Sequence, residues 1–157
     1  MIEAWVFAVA AGLILYTYLG YPVVLRALTA GRRPPVHDEP AAWPAVSLII
    51  TAYNEEAVLP DKLDNTLALD YPADRLQVVL VSDGSTDGTD ELARRCAQRH
   101  GFVFLRQDAN AGKTAAQNAG AAAATGDLLV FSDANSLYRP DAVKRLVTAS
   151  LSLSLKA

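Results

Sequence analysis

Apolar and polar positions between residues 45 and 148 fall into blocks that predict a repeat of strands and helices. Short apolar runs occupy residues 45–51, 78–81, 102–106 and 128–132. Such runs, when turn residues bound them, favour strands buried on both faces of a parallel sheet. Helical patterns begin near residues 56, 90 and 113 and separate these runs. The alternation predicts an α/β fold with a mostly parallel sheet and right-handed crossovers.

The pattern changes near the end of the sequence. Residues 141 to about 148, opened by Pro140, predict a further helix. Residues 150–155 read SLSLSL, and this strict alternation predicts an exposed strand. A half-sheet of four strands with that ending predicts an α/β fold that is truncated.

The beginning of the sequence predicts a transmembrane helix. Residues 4–25 contain no charged residue, and the hydrophobic content of 52% is high for a small soluble domain because of this apolar segment. A run of this length crosses a hydrocarbon core of about 30 Å as a helix. The predicted organisation is a membrane anchor over residues 1–30, a proline-rich linker over 31–44 and the N-terminal part of an α/β domain over 45–157.

The charges beside the anchor predict its orientation. Glu3 precedes the apolar run, whereas Arg26, Arg32 and Arg33 follow it. Positive residues favour the cytoplasmic side, so we expect a single pass through the cell membrane with the α/β domain in the cytoplasm. A cleaved signal peptide would have a basic start and a shorter run. A buried core helix would carry a polar stripe. A formal net charge of −3 gives no basic footprint for nucleic acid, which we do not expect as a partner.

Polar turns follow three of the four predicted strands, and their chemistry suits a nucleotide diphosphate. In open α/β sheets, ligands bind beyond the carboxyl ends of the strands. Tyr53 can stack on a base, and Glu55 and Asp83 can accept hydrogen bonds from base or ribose. Lys113 stands at a helix start, where free amides also favour phosphate. Asp133 ends a buried strand, where a metal or a ribose would satisfy its carboxylate.

Each of these residues also has a simpler structural explanation. Tyr53 can belong to the core, and Glu55 can be a solvated acid in the first turn of a helix. Asp83 alone is a turn former, and Lys113 alone is a surface lysine. Asp87, in the same turn as Asp83, can cap the following helix.

Three rival motifs fail on single positions. A calcium-binding EF-hand loop starting at Asp83 needs Glu at its twelfth place, which is Arg94. A P-loop ending at Lys113 needs glycine at 107, which is Gln107, so a P-loop-like NTPase remains only a remote alternative. A dinucleotide-binding Rossmann domain needs a glycine motif after the first strand, where residues 52–55 contain no glycine.

Several motifs, in order and spacing, resemble those of family 2 glycosyltransferases. They are Ala52-Tyr53-Asn54-Glu55-Glu56, Asp70-Tyr71-Pro72, the run SDGSTDGT over residues 82–89, Asn110-x-Gly112-Lys113 with Asn118-x-Gly120, and Gly126-Asp127 leading to Asp133-Ala134-Asn135-Ser136. The resemblance implies a GT-A fold and transfer of a sugar from a nucleotide diphosphate donor, often a UDP-sugar, usually with inversion. The preceding membrane helix resembles the membrane-bound branch that builds polysaccharides or modifies lipids, so the implied acceptor is a polysaccharide or a lipid.

The resemblance also implies roles for the turn residues. Those implied to bind the nucleotide-sugar are Ala52, Tyr53, Glu55, Asp83, Lys113 and Asp133. Asp133 and Asn135 occupy the family's Asp-x-Asp positions, which bind Mg²⁺ or Mn²⁺, and Asn135 replaces a charged ligand with a neutral amide. The family's general base belongs to an acceptor half that does not occur in these 157 residues. We therefore expect donor binding without turnover, with a nucleotide-binding module or an inactive truncated product as the alternatives.

Overall fold

The computed structural model describes residues 1–31 and 39–154, and the chain divides into two units. The first unit is Met1–Val36, and the second is His37–Ala157. The two units are described separately below.

One long apolar helix forms the first unit. It consists of α1 (Ile2–Leu15), a π-helical segment (Tyr16–Gly20) and α2 (Tyr21–Thr29), in all 28 residues. A helix of that length extends about 42 Å and is long enough to cross a bilayer. No residue in its most apolar stretch is buried, so it is not a core helix of the described chain. Pro22, in the first turn of α2, cannot donate to the preceding turn, and the ladder widens to π spacing just before it.

The second unit is built on a four-stranded parallel sheet, which confirms the predicted fold class. The strands are β1 (Val46–Ala52), β2 (Leu76–Ser82), β3 (Val103–Arg106) and β4 (Leu128–Asp133). Their order across the sheet is β3-β2-β1-β4, and each neighbouring pair is parallel. Because β1 and β2 run in register to Ala52 and Ser82, the turns that follow them start side by side.

Helices cover both faces of this sheet. They are α3 (Leu59–Leu67), a 3₁₀ turn (Ala73–Arg75), α4 (Thr89–His100), α5 (Lys113–Ala122) and α6 (Ala142–Ser154). Successive strand residues point to opposite faces. Thus Leu48 and Leu80 pack with Leu63 of α3, whereas Ile49 packs with Ala116 of α5. The two central strands are therefore buried on both sides, as their apolar sequences predict.

The end of the sequence differs from the prediction. Residues 150–154 continue α6 and do not form the expected exposed strand. Val143 and Val147 are fully buried, and Leu151 packs against the same cluster. Spacing of four residues places these side chains on one helical face, and that packing outweighs the local alternation. The hydroxyl of Ser152 donates to Ala149 O at 2.8 Å, so this serine is accommodated within the helix.

Other element boundaries lie close to the predictions. Helix α3 begins at Leu59, not at residue 56, and Pro60 occupies its first turn, where a missing N–H is tolerated. It ends at Leu67, so Asp70 lies beyond it. Gly101 ends α4 with φ of 73°, the left-handed conformation that glycine commonly adopts after a helix.

Candidate functional site

The carboxyl ends of the strands open into one cavity of about 330 Å³. Its lining comprises Thr51, Ala52, Tyr53, Glu55, Asp83, Asn110, Gly112, Lys113, Ala116, Asp133 and Asn135. Each residue predicted to bind a nucleotide-sugar or a metal is in this set. The structure therefore brings the predicted residues together at the sheet edge where parallel α/β folds bind ligands.

Hydrogen bonds join the turn after β1 to the turn after β2. Asn54 adopts φ of 53°, and its Oδ1 accepts from Thr86 N at 2.8 Å. Asn54 N donates to Ser85 Oγ at 3.1 Å, and Glu55 N donates to Thr89 Oγ1 at 2.9 Å. These bonds fix the backbone that carries the neighbouring cavity residues.

A second set of bonds places Asp87 just before the N-cap of α4, which is Gly88. Its carboxylate accepts from Thr89 N at 3.0 Å and from Glu56 N at 3.2 Å. Glu56 in turn accepts from Gly88 N at 2.9 Å. Desolvation would raise the pKa of Asp87, but hydrogen bonds, chiefly from Thr89, outweigh it and hold that pKa below its ordinary value. Asp87 thus accepts a backbone hydrogen bond from the first residue of α4 and another from the turn after β1.

The carboxylate of Asp83 holds the loop that leads into α5. It is only 4% exposed, and it accepts from Ala111 N at 2.8 Å and from Gly112 N at 3.0 Å. The next residue, Gly84, has φ of 69°, and a Cβ there would lie 2.5 Å from Asn110 N. Asp83 is therefore more than a turn former. Each of its oxygens accepts one of these two bonds and so retains a second lone pair.

The side chains of Tyr53 and Glu55 face the cavity. Tyr53 is 47% exposed, so the alternative of core packing is wrong. Glu55 precedes α3, and its carbonyl accepts from Leu59 N at 2.9 Å. Its half-buried side chain lines the cavity, and because it precedes α3 it is not an acid of the first helical turn.

Lys113 and Asp133 form an ion pair across the cavity, with Lys113 Nζ 2.8 Å from the carboxylate. The side chains are 57% and 43% exposed. The prediction that Asp133 ends a buried strand is therefore wrong, because β4 is a partly exposed edge strand of the described sheet, and Lys113 lies beside its carboxylate. Exposed pairs contribute about 0–1 kcal/mol, so a ligand can rearrange this pair at little cost.

A buried lysine that the sequence did not identify lies beneath the turn that follows β4. Lys62 of α3 is fully buried, and its Nζ donates to Ser132 Oγ at 2.7 Å and to Ser136 O. The same Nζ lies 4.2 Å from the ring centroid of Tyr138. Burial lowers the pKa of Lys62 to about 8, and the charge of Asp133 opposes this shift.

The sequence contains only a weak indication that Lys62 is buried. It stands three residues after Leu59 and beside Leu63, so it borders the apolar stripe of α3. A lysine at such an edge normally extends into water. Only the tertiary contact with the segment after β4 shows that this one does not.

The cavity suits a divalent cation only if a ligand completes its coordination. Among the described residues, no group of three or more His, Cys, Asp or Glu side chains can hold a metal. Asp133 and Asn135 nevertheless place a carboxylate and an amide oxygen on one cavity wall. Magnesium binds in this way, through one or two carboxylates together with substrate phosphates and water. The donor set therefore fits a cation that arrives with a diphosphate.

Comparison with known proteins identifies relatives among glycosyltransferases. The model of the family "Glycosyl transferase family 2" matches residues 47–151. The chain is 34% identical over 108 residues to the probable glycosyltransferase YdaM of Bacillus subtilis. It is 40% identical over 109 residues to an undecaprenyl-phosphate 4-deoxy-4-formamido-L-arabinose transferase of Aeromonas hydrophila. A poly-beta-1,6-N-acetyl-D-glucosamine synthase of Staphylococcus aureus is 32% identical over 97 residues.

Solved structures share the fold. The mannosyltransferase PcManGT of Pyrobaculum calidifontis, solved with GDP-Man and Mn²⁺, superposes with a TM-score of 0.74 at 34% identity, over 90% of this chain and 43% of that one. TarS of S. aureus, solved with UDP-GlcNAc, superposes with a TM-score of 0.62 at 22% identity, over 71% of this chain and 31% of that one. The second likeness shows the fold alone.

The matches cover most of this chain but a minor part of its curated relatives. They span 66%, 68% and 62% of this chain and 26%, 33% and 23% of the three relatives, in the order given above. The family model covers the sheet, the cavity and most of α6. On that match, and on the GT-A-like sheet that supports it, the chain belongs to glycosyl transferase family 2.

Proposed function

We propose that the α/β unit binds the nucleotide diphosphate donor of a glycosyltransferase that transfers a sugar to a polysaccharide or lipid acceptor. The observation that carries the proposal is the single cavity in which Tyr53, Glu55, Asp83, Lys113 and Asp133 meet. The mannosyltransferase that binds GDP-Man and Mn²⁺ supports it, since that protein is 34% identical and covers 90% of this chain. Our proposed donor is a UDP-sugar. The binding experiment described below would also detect a GDP-sugar donor.

The proposed roles follow from the position of each side chain. Tyr53 stacks on the base, while Glu55 and the free lone pairs of Asp83 accept hydrogen bonds from base or ribose. Lys113 meets the diphosphate at the start of α5, where amide groups also point outward. Asp133 and Asn135 hold Mg²⁺ or Mn²⁺ together with the diphosphate. The bound cation would stabilise the charge that develops on the leaving nucleoside diphosphate.

The cavity as described serves donor binding, and we assign the base to none of its residues. An inverting transfer needs a group that deprotonates the acceptor hydroxyl. Asp83 already accepts two backbone hydrogen bonds, Asp133 is paired with Lys113, and Glu55 is proposed to hold base or ribose. We therefore expect the 157 residues alone to bind donor without turnover.

We further propose that helix Ile2–Thr29 anchors the protein in the cell membrane by a single pass, with the α/β unit in the cytoplasm. This helix is long and apolar enough to cross a bilayer. Glu3 lies in its first turn and Arg26 in its last, a charge bias that favours a cytoplasmic carboxyl end. The corresponding division is residues 1–30 as anchor, 31–44 as linker and 45–157 as the donor-binding domain.

Titration calorimetry of the full chain in detergent micelles tests the proposed donor binding. UDP, GDP and ATP are titrated in the presence of MnCl₂, and saturable binding of UDP is expected. Tyr53→Ala should weaken it about tenfold, because stacking of a base on an aromatic ring contributes about 1–3 kcal/mol. Phe131→Ala is the matched control, since Phe131 is similarly exposed, at 44%, but outside the cavity.

The results separate the candidate ligands. Saturable binding of GDP alone would replace the uridine donor with a guanosine donor. Preferential binding of ATP would favour the remote alternative of a P-loop-like NTPase. If a sample with native circular dichroism bound neither UDP nor GDP, the proposed donor site would be wrong.

A further inference from the structure

Helix α3 ties down both sides of the turn that carries Asp133 and Asn135. Lys62 Nζ reaches Ser132 Oγ, which precedes the turn, at 2.7 Å. It also reaches the carbonyl of Ser136, which follows the turn. One ammonium group therefore joins the two flanks of a segment whose middle lines the cavity.

Asn65 extends this contact by one helical turn. Its Nδ2 donates to Tyr138 O at 2.7 Å, and its Oδ1 accepts from Tyr138 N at 2.8 Å. Residues three apart in a helix share a face, so Lys62 and Asn65 together hold residues 132–138 against α3. The ring of Tyr138 also lies beside Lys62 Nζ.

Burying a lysine to hold two elements together is energetically unfavourable. Burying an ammonium group is unfavourable even when it is hydrogen-bonded, and an apolar residue of similar volume often packs as well or better. Leu59 and Leu63 already provide apolar packing on this face of α3. With a pKa of about 8, Lys62 is a cation at neutral pH. A charged donor at this position therefore indicates a requirement other than packing.

We propose that Lys62 is a positioning residue for the diphosphate and cation subsite, fixing from beneath the turn that presents Asp133 and Asn135. The inference rests on the proposed function, because the subsite has meaning only if the cavity binds a nucleotide diphosphate. Lys62 is outside the cavity lining, so it acts through the turn and not by contact with the ligand.

The geometry explains why the turn needs this support. Within it, Ser136 N donates to Asp133 O at 3.2 Å, and Asn135 is exposed. The carboxylate and the amide must both face one cation, so a small shift of either flank would separate them. Groups that orient metal ligands commonly affect metal affinity about 10–100-fold when they are removed.

The test measures the dependence of nucleotide affinity on manganese. UDP and GDP are titrated into the full chain in detergent, once with EDTA and once with saturating MnCl₂. The ratio of the two dissociation constants, the manganese enhancement, reports the cation subsite. The dissociation constant in EDTA reports contacts of the nucleoside and of Lys113. For Lys62→Met, we expect the enhancement to fall about tenfold while the affinity in EDTA stays at the wild-type value.

Two control variants separate positioning from general destabilisation. Leu63→Ala removes buried packing from the same helix and leaves the contacts of Lys62 in place. Lys144→Met makes the identical substitution at a lysine that pairs with Asp70 at 2.8 Å outside the cavity. Both controls should retain the wild-type enhancement. Ser132→Ala removes only the hydroxyl that accepts from Lys62 Nζ, and it should lower the manganese enhancement. If Lys62→Met does not fold, Ser132→Ala takes its place in the test.

The outcomes distinguish this inference from the proposed function. An unchanged enhancement in Lys62→Met, or in Ser132→Ala if that is the variant that folds, overturns the positioning role and leaves donor binding intact. An equal loss of affinity with and without manganese also overturns it, as does a wild-type protein that binds UDP or GDP without any manganese enhancement. A folded wild-type protein that binds neither nucleotide overturns the proposed function and this inference together.

Discussion

The substitution Asp83→Asn tests whether this carboxylate organises the loop before α5. In the wild-type protein, Asp83 accepts from Ala111 N at 2.8 Å and from Gly112 N at 3.0 Å. Asparagine has nearly the same shape but offers only one oxygen. Its amide NH₂ would face one of the two backbone donors, so one hydrogen bond is lost and the other loses its charge.

The size of the effect follows from these two bonds. A hydrogen bond to a charged group contributes about 1.5–3 kcal/mol, and a neutral one contributes about 1 kcal/mol. Replacing the buried carboxylate also removes its desolvation cost, which offsets part of the loss. We expect the free energy of local opening of residues 109–112 to fall by about 2 kcal/mol. Since about 1.4 kcal/mol corresponds to a factor of ten, the opening equilibrium should shift about 30-fold.

Hydrogen exchange measures this opening directly. The amides of Ala111 and Gly112 should exchange about 30-fold faster in Asp83→Asn, while those of the central strands keep wild-type protection. Asp108→Asn is the matched control, because Asp108 lies in the same loop, fully exposed, with only an ion pair to Arg106 at 3.5 Å. It should change exchange little.

Either of two results would refute the reasoning about Asp83. Wild-type exchange at Ala111 and Gly112 in the Asp83→Asn protein would show that the carboxylate does not hold the loop. Faster exchange throughout the sheet would show that Asp83 supports the whole unit. In that case, a loss of UDP binding could not be attributed to the loop.

Three further predictions concern stability, each measured by urea unfolding of the full chain in detergent. Because the pKa of Lys62 is lowered to about 8 from its model-peptide value of 10.5, the unfolded state holds more protons between these values, and stability rises with pH. The unfolding free energy of wild type relative to Lys62→Met should therefore increase by about 2 kcal/mol from about pH 7.5 to 9.5, and a flat difference would contradict the buried cation. Gly84→Ala should cost about 2 kcal/mol or more, since φ is 69° and the added Cβ meets backbone at 2.5 Å; an unchanged midpoint would mean that the turn relaxes freely. Tyr71→Phe should cost about 1 kcal/mol, because it leaves Pro44 O without its 2.7 Å hydrogen bond, and a neutral result would indicate that water replaces the hydroxyl.

The parts of the fold that were predictable are those in which local pattern and tertiary packing agree. The central strands are apolar at nearly every position because α3 and α4 cover one face and α5 the other. Gly101 and Pro60 act on the backbone beside them, so their effects could be read locally. The segment after residue 149 was predicted wrongly because its alternation is local, whereas its helical state depends on burial of Val143 and Val147.

The same distinction applies to the site. Parallel strands place their carboxyl ends at one edge, so the grouping of Tyr53, Asp83 and Asp133 followed from the order of elements alone. Whether each of these groups is paired or buried did not follow from that order. Whether Asp133 is paired depends on the position of β4 in the sheet, and the burial of Lys62 depends on contact between α3 and a segment 70 residues away along the chain. Such long-range contacts leave no periodic signal in the sequence.

In the structure, the run SDGSTDGT (residues 82–89) supports the site more than it lines it. Of its residues, only Asp83 lines the cavity, and both oxygens of Asp83 hold the following loop. Ser85, Thr86 and Thr89 bond to the turn after β1. The run therefore acts chiefly as a support between the turn that bears Tyr53 and Glu55 and the loop that leads into α5. Substitutions within the run should then alter the geometry of several ligand-facing side chains at once, and a loss of donor affinity on changing one of them is not by itself evidence that it touches the donor.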